Sequence, residues 1–127
     1  MSEELLQFNV VKYLKLQYPH AIYCASLGGL RTSMRQAKKA KATGYVKGFP
    51  DLVIYEPNNR YYGLFLEIKQ KGKYPTKYQK DWINKLNKRG YYACCVKGID
   101  DIVDTIDSYM NNTIGNEKGK QETAKDK

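Results

Sequence analysis

The chain has 127 residues, 42% of them hydrophobic, enough for one compact domain with its own core. It carries 22 Lys and Arg against 13 Asp and Glu, a formal charge of +9, which favours a polyanionic partner; an anionic membrane surface is the weaker alternative, because no basic amphipathic helix with aromatic anchors stands out. No run of about 20 apolar residues is present to span a membrane, and the acidic start Met1-Ser2-Glu3-Glu4 lacks an apolar signal region.

Taken in chain order, Glu3 to Tyr18 reads as an amphipathic helix with Leu6, Val10, Tyr13 and Leu14 at three- and four-residue steps and Ser2 as its N-cap. Pro19 ends it. Ala21 to Ser26 reads as a strand, broken by Gly28-Gly29, and His20 at its entry is assigned a structural or solvated role. From Leu30 to Lys47 the basic residues Arg31, Arg35, Lys38, Lys39, Lys41 and Lys47 have no acidic residue among them. Ala37, Ala40 and Ala42 favour a helix there, yet it has almost no large apolar face. A solvated surface helix is one reading; contact with nucleic-acid phosphates is the favoured one.

Asp51 opens the apolar run Leu52-Val53-Ile54-Tyr55, and Tyr61 to Lys69 follows as a second strand after the turn-rich Glu56 to Arg60. In an antiparallel pair centred on Asn58-Asn59, Asp51 and Glu67 fall opposite one another, their Cβ atoms about 5–8 Å apart. Alternation puts Lys69 on the face of Glu67. Glu-x-Lys on a strand is also what an exposed, charge-alternating face looks like. With Asp51 opposite, however, the pattern offers two repelling carboxylates, which a hard cation such as Mg²⁺ would hold apart. Such a cation activates water and offsets phosphate charge. Lys69 then has three available roles: orienting the water, deprotonating it, or stabilising the anionic transition state.

The basic segment Gln70 to Tyr74, with Lys71 and Lys73, reads as a loop beside this trio, and Pro75-Thr76 start a helix running to Arg89. Tyr78, Trp82, Ile83 and Leu86 share one face, Gln79 lies near its inner edge, and Gly90 closes it. Tyr91 to Val96 is a strand and Ile99 to Met110 a last amphipathic helix. Residues 1–112 make the domain; residues 113–127 are polar and are expected to form a disordered tail. The order predicts an α/β fold, a mixed sheet flanked by helices.

Cys24, Cys94 and Cys95 are odd in number, two of them adjacent, and form no disulfide framework; a reducing cytoplasm fits. Cys94 and Cys95 face opposite sides of their strand, and without C-x-x-C spacing or a histidine cluster zinc is not expected. The tyrosines sit mostly at packing positions and do not read as a base-stacking platform, which argues against an RNA-binding protein.

Gly48-Phe49-Pro50-Asp51-Leu52, Gly63-Leu64-Phe65-Leu66-Glu67-Ile68-Lys69, Tyr78-Gln79-Lys80-Asp81-Trp82 and Gly90-Tyr91, in this order, resemble the virus-type replication-repair nuclease (VRR-NUC) domain. That family belongs to the PD-(D/E)xK nuclease superfamily, and the likeness spans Glu3 to about Tyr109. The resemblance implies a restriction-endonuclease-like sheet and Mg²⁺- or Mn²⁺-dependent phosphodiester hydrolysis. It matches Asp51 and Glu67 to the metal carboxylates, the Ile68 carbonyl to a further ligand and Lys69 to the catalytic lysine. Gln79 matches the supporting glutamine, and Glu3, four residues before Gln7, the first-helix glutamate, with Glu4 the adjacent alternative. Phe49 departs from the family's usual small or β-branched residue. Stand-alone members resemble Holliday-junction resolvases acting on branched DNA as homodimers, so the resemblance implies such an enzyme in the cytoplasm of a bacterium or a virus-infected host cell. A flap- or end-processing nuclease and a catalytically silent DNA-binding module are the alternatives. The first and last helices are the candidate dimer surface.

Overall fold

In a computed structural model of the chain, residues 1–26 and 34–115 are described. Helix α1 (Glu3–Gln17) starts where the Ser2 hydroxyl accepts the Leu5 amide, capping an otherwise unsatisfied N–H. Strand β1 (Tyr23–Ala25) and helix α2 (Met34–Ala42) follow, then β2 (Leu52–Ile54), β3 (Leu64–Lys69), α3 (Lys77–Asn87), β4 (Tyr92–Lys97) and α4 (Gly98–Met110).

The sheet order is β1-β2-β3-β4, antiparallel at the first two pairings and parallel between β3 and β4. The parallel pair requires a crossover, which α3 provides. Alternation divides the sheet between two helical layers. Leu52, Ile54, Leu64, Leu66, Ile68, Tyr92, Cys94 and Val96 pack with α1 and α4, while Val53, Phe65, Ala93 and Cys95 pack with Ile83 and Leu86 of α3. Cys94 and Cys95 thus enter different cores. Because both faces are covered, β3 and β4 are buried along almost their whole length.

The hairpin register agrees with the sequence arithmetic: Leu52 pairs with Leu66, Val53 with Phe65 and Ile54 with Leu64. The strands themselves are shorter than expected. Tyr61 and Tyr62 belong to the connection, since the Tyr62 amide donates to the Gly90 carbonyl and Asn58 Oδ1 accepts the amides of Arg60 and Tyr61. The basic helix covers Met34–Ala42 among the described residues, with Gly44 at φ 115° just beyond it; Arg31 lies outside the described residues.

One further expectation is corrected. Thr113, Ile114 and Gly115 belong to the folded body: Ile114 is buried in the larger core and its amide donates to Ser108 O. Residues 116–127 lie outside the described ones. The inward faces of α1 and α4 pack within the chain through Leu6, Val10, Leu14, Ile102, Ile106 and Tyr109. Tyr13 and Tyr18 both donate to Asp107 Oδ1, at 2.5 and 2.7 Å, joining the two helices. What α1 leaves exposed is a different face with Leu5, Phe8 and Leu16.

Candidate active site

Glu67 and Lys69 leave β3 on the α3 side of the sheet, and Asp51 precedes β2 at the same end, one pairing step beyond Leu52 and Leu66. Asp51 is held from two directions. Its Oδ2 accepts the Ile68 amide at 2.9 Å, and its carbonyl accepts the Ser26 amide at 2.9 Å, tying β1 to the site. The residues before it fix its approach. Gly48, at φ 86°, lies against the first turn of α3 so closely that a Cβ would stand 2.7 Å from the Tyr78 carbonyl carbon. Phe49 meets Phe65 and Trp82 edge-on at 5.9 and 5.4 Å, and Pro50 is buried. Phe49 is therefore a packing residue of the α3-side core.

Glu67 is 2% exposed. Its Oε2 accepts Gln79 Nε2 at 2.9 Å and lies 3.9 Å from Lys69 Nζ, while Oε1 is buried without a hydrogen-bond partner. Burial first, then the charge of neighbouring Asp51, pushes the Glu67 carboxyl up to about 9; Lys69 opposes the shift and Glu3 adds weakly to it. Gln79 is oriented by its other end: Oε1 accepts the Thr76 amide at 2.8 Å while Thr76 Oγ1 accepts the Gln79 amide. This capping box starts α3 and aims the amide N–H₂ at Glu67. The sequence pattern Thr76-x-x-Gln79 carries that signal: Thr76 is placed at the helix start from sequence, but its pairing with Gln79 is not read there.

The Ile68 side chain is fully buried in the other core, so only its backbone faces Asp51. Glu3 is half-buried and its charge adds to the shift of Glu67, whereas Glu4 is exposed. Glu3 does not complete a metal-holding cluster: among the described residues no group of three or more His, Cys, Asp and Glu side chains stands together. The carboxylates brought together are those of Asp51 and Glu67. An orphaned, buried carboxylate oxygen beside a second carboxylate nevertheless fits a hard divalent cation.

Arg35, Lys38, Lys39 and Lys41 stand exposed on α2, none of whose residues is buried. Lys47 lies 4.5 Å over the Tyr78 ring, at the start of α3, and Lys71 and Lys73 are exposed beyond the end of β3. Among the described residues no helix is long and apolar enough to cross a membrane.

A mixed four-stranded sheet between helices, with β3 and β4 parallel, defines the PD-(D/E)xK-like nuclease fold. The chain belongs to the VRR-NUC domain family, whose profile matches residues 2–99. A solved structure described as a VRR_NUC domain protein is 32% identical, covering 87% of this chain and 89% of its own, with a TM-score of 0.75. A second, described as a VRR_NUC domain, is 20% identical over 82% of this chain and 97% of its own, with a TM-score of 0.54, a likeness of fold. No curated protein matches the chain.

Proposed function

We propose that this VRR-NUC domain hydrolyses phosphodiester bonds of DNA with Mg²⁺ or Mn²⁺, acting on branched DNA as a homodimer in the manner of a junction resolvase. The observation that carries the nuclease reading is the buried Glu67 carboxylate with one oxygen unpartnered, Asp51 beside it and Lys69 at 3.9 Å. The branched substrate and the dimer are supported by the family resemblance. Asp51, Glu67 and the Ile68 carbonyl would hold the cation. When bound, it lowers the pKa of coordinated water and offsets charge on the phosphate.

The protein's own groups prepare this. Gln79 and Lys69 both engage Oε2 of Glu67, which leaves Oε1 as the oxygen lacking a partner. The Ile68 amide fixes Asp51. Lys69, 13% exposed, keeps an ammonium donor at the site to orient water or to neutralise a developing oxyanion. Glu3 contributes negative charge from the start of α1. Arg35, Lys38, Lys39, Lys41, Lys47, Lys71 and Lys73 supply phosphate contacts around it.

The test offers the purified protein four-way junctions, flaps, linear duplex and single strands with either metal. Loss of cutting in Asp51→Asn and Lys69→Ala with DNA binding kept supports the roles. Cutting that survives both substitutions removes the site, and binding without cutting under either metal assigns the chain as a DNA-binding module. Preference for flaps or ends over junctions, or a monomer by light scattering, would overturn symmetric junction resolution.

A further inference from the structure

Next to the segment that carries Asp51 lies an open pocket of about 480 Å³ that the hydrolytic groups do not line. Its walls are Tyr45, Val46, Phe49 and Trp82, with Ala25 and Ala40 contributing small side chains. The volume lies in the range of small-molecule sites, and aromatic and aliphatic walls with few polar groups suit a flat heterocycle. Its position relative to the candidate site is fixed by the chain itself. Phe49 is two residues from Asp51, and Ser26, which also lines the cavity, donates its amide to the Asp51 carbonyl. Lysines lie next to two of the lining residues. Lys39 and Lys41 flank Ala40 on α2, and Lys85 Nζ lies 4.8 Å over the Trp82 ring.

We propose that this cavity accepts an unpaired nucleobase of the DNA strand whose phosphate lies at Asp51, a reading that rests on the chain being a DNA nuclease. A mostly apolar pocket with lysines next to Ala40 and over Trp82 matches a nucleotide in both its parts, a π-face for the walls and an anionic backbone for the lysines. The site thereby selects DNA in which a base is already free of its pair, because extrusion from an intact duplex costs unstacking and unpairing. Phe49 enters this selection as a wall of the cavity.

Trp82 is the chain's sole tryptophan, so its fluorescence reports the cavity directly. The full chain, in EDTA to prevent cutting, is titrated with a duplex carrying one unpaired nucleotide, the same duplex fully paired, and the same duplex with an abasic residue at the unpaired position. The expected result is quenching and at least about fivefold tighter binding for the unpaired base alone. Ala40→Leu, which fills the cavity from a helix that buries none of its residues, is expected to bring the ratio of affinities toward one. Equal affinity and equal fluorescence across the three DNAs overturn the proposal while leaving the nuclease reading intact. Quenching by the unpaired base together with cutting that survives Asp51→Asn upholds the cavity and removes the assigned hydrolytic site. Absence of binding to any DNA removes both.

Discussion

Gln79 connects two things with one amide: it completes the cap of α3 through Oε1 and holds Glu67 through Nε2. Gln79→Glu separates these roles, because glutamate also completes a Thr-x-x-Glu capping box but has no N–H to offer Glu67. The helix start is expected to survive, as read by circular dichroism and thermal melting, while metal-dependent cutting falls about 10–100-fold. Equal cutting by wild type and variant would reduce Gln79 to a cap. Glu67 itself gives a pH signature. Its carboxyl keeps a proton in the fold up to about 9, against an ordinary value of 4.5. Between those values the native state binds more protons than the unfolded chain, so this group makes the metal-free protein lose stability as pH rises from about 5 to about 9. Glu67→Gln, neutral at every pH, is expected to remove that slope in melts run in EDTA. Mg²⁺ is expected to raise the wild-type midpoint most at the alkaline end, where proton competition is weakest. A slope unchanged by the substitution would place its origin elsewhere.

The segment before β2 reaches its place by backbone contact, and Gly48 is the contact. With φ 86° and a virtual Cβ 2.7 Å from the backbone of Tyr78, Gly48→Ala meets both a conformational and a steric penalty. Gly72 has nearly the same φ, 84°, with nothing within 4 Å, and isolates the first of these. Gly72→Ala is therefore expected to cost about 1–2 kcal/mol, and Gly48→Ala clearly more, with a loss of cutting because Asp51 moves with its segment. Chemical denaturation of the two variants measures the difference, and equal costs would mean that α3 gives way freely. The pairing of β2 with β3 was legible in sequence because an antiparallel register is arithmetic, and the summed positions around Asn58-Asn59 brought Asp51 to Glu67. Lys69 followed from alternation. The approach of Gly48 to Tyr78 was not legible, since they are brought together by packing of a loop on a helix start and no periodicity encodes that. The Thr76 cap was present as a local pattern but acquires its meaning only from Glu67, which α3 reaches through the fold. The tail boundary failed for a similar reason: Ile114 is a lone apolar residue in a polar stretch, and only the core beneath it explains its burial.

For the molecule as a whole, 22 cationic side chains against 13 anionic ones set a long-range field that attracts DNA before any group at Asp51 acts. Helix α2 concentrates that charge on an element with no buried residue, so its lysines can be altered without disturbing the core. Arg35→Gln, Lys38→Gln, Lys39→Gln and Lys41→Gln are each expected to leave stability within about 0.5 kcal/mol of wild type. Each that contacts a phosphate is expected to lower the slope of log affinity against log salt by about 0.9 for duplex DNA, to a similar extent for every sequence tested. The same change at Lys88, exposed at the far end of α3, serves as the comparison, because general loss of charge acts there without the position beside the cavity. A salt slope that falls equally for Lys88→Gln would assign DNA attraction to net charge alone. A fall confined to the α2 variants would make that helix the surface along which the strand is led to Asp51, and would explain how so basic a helix persists with so little packed against it.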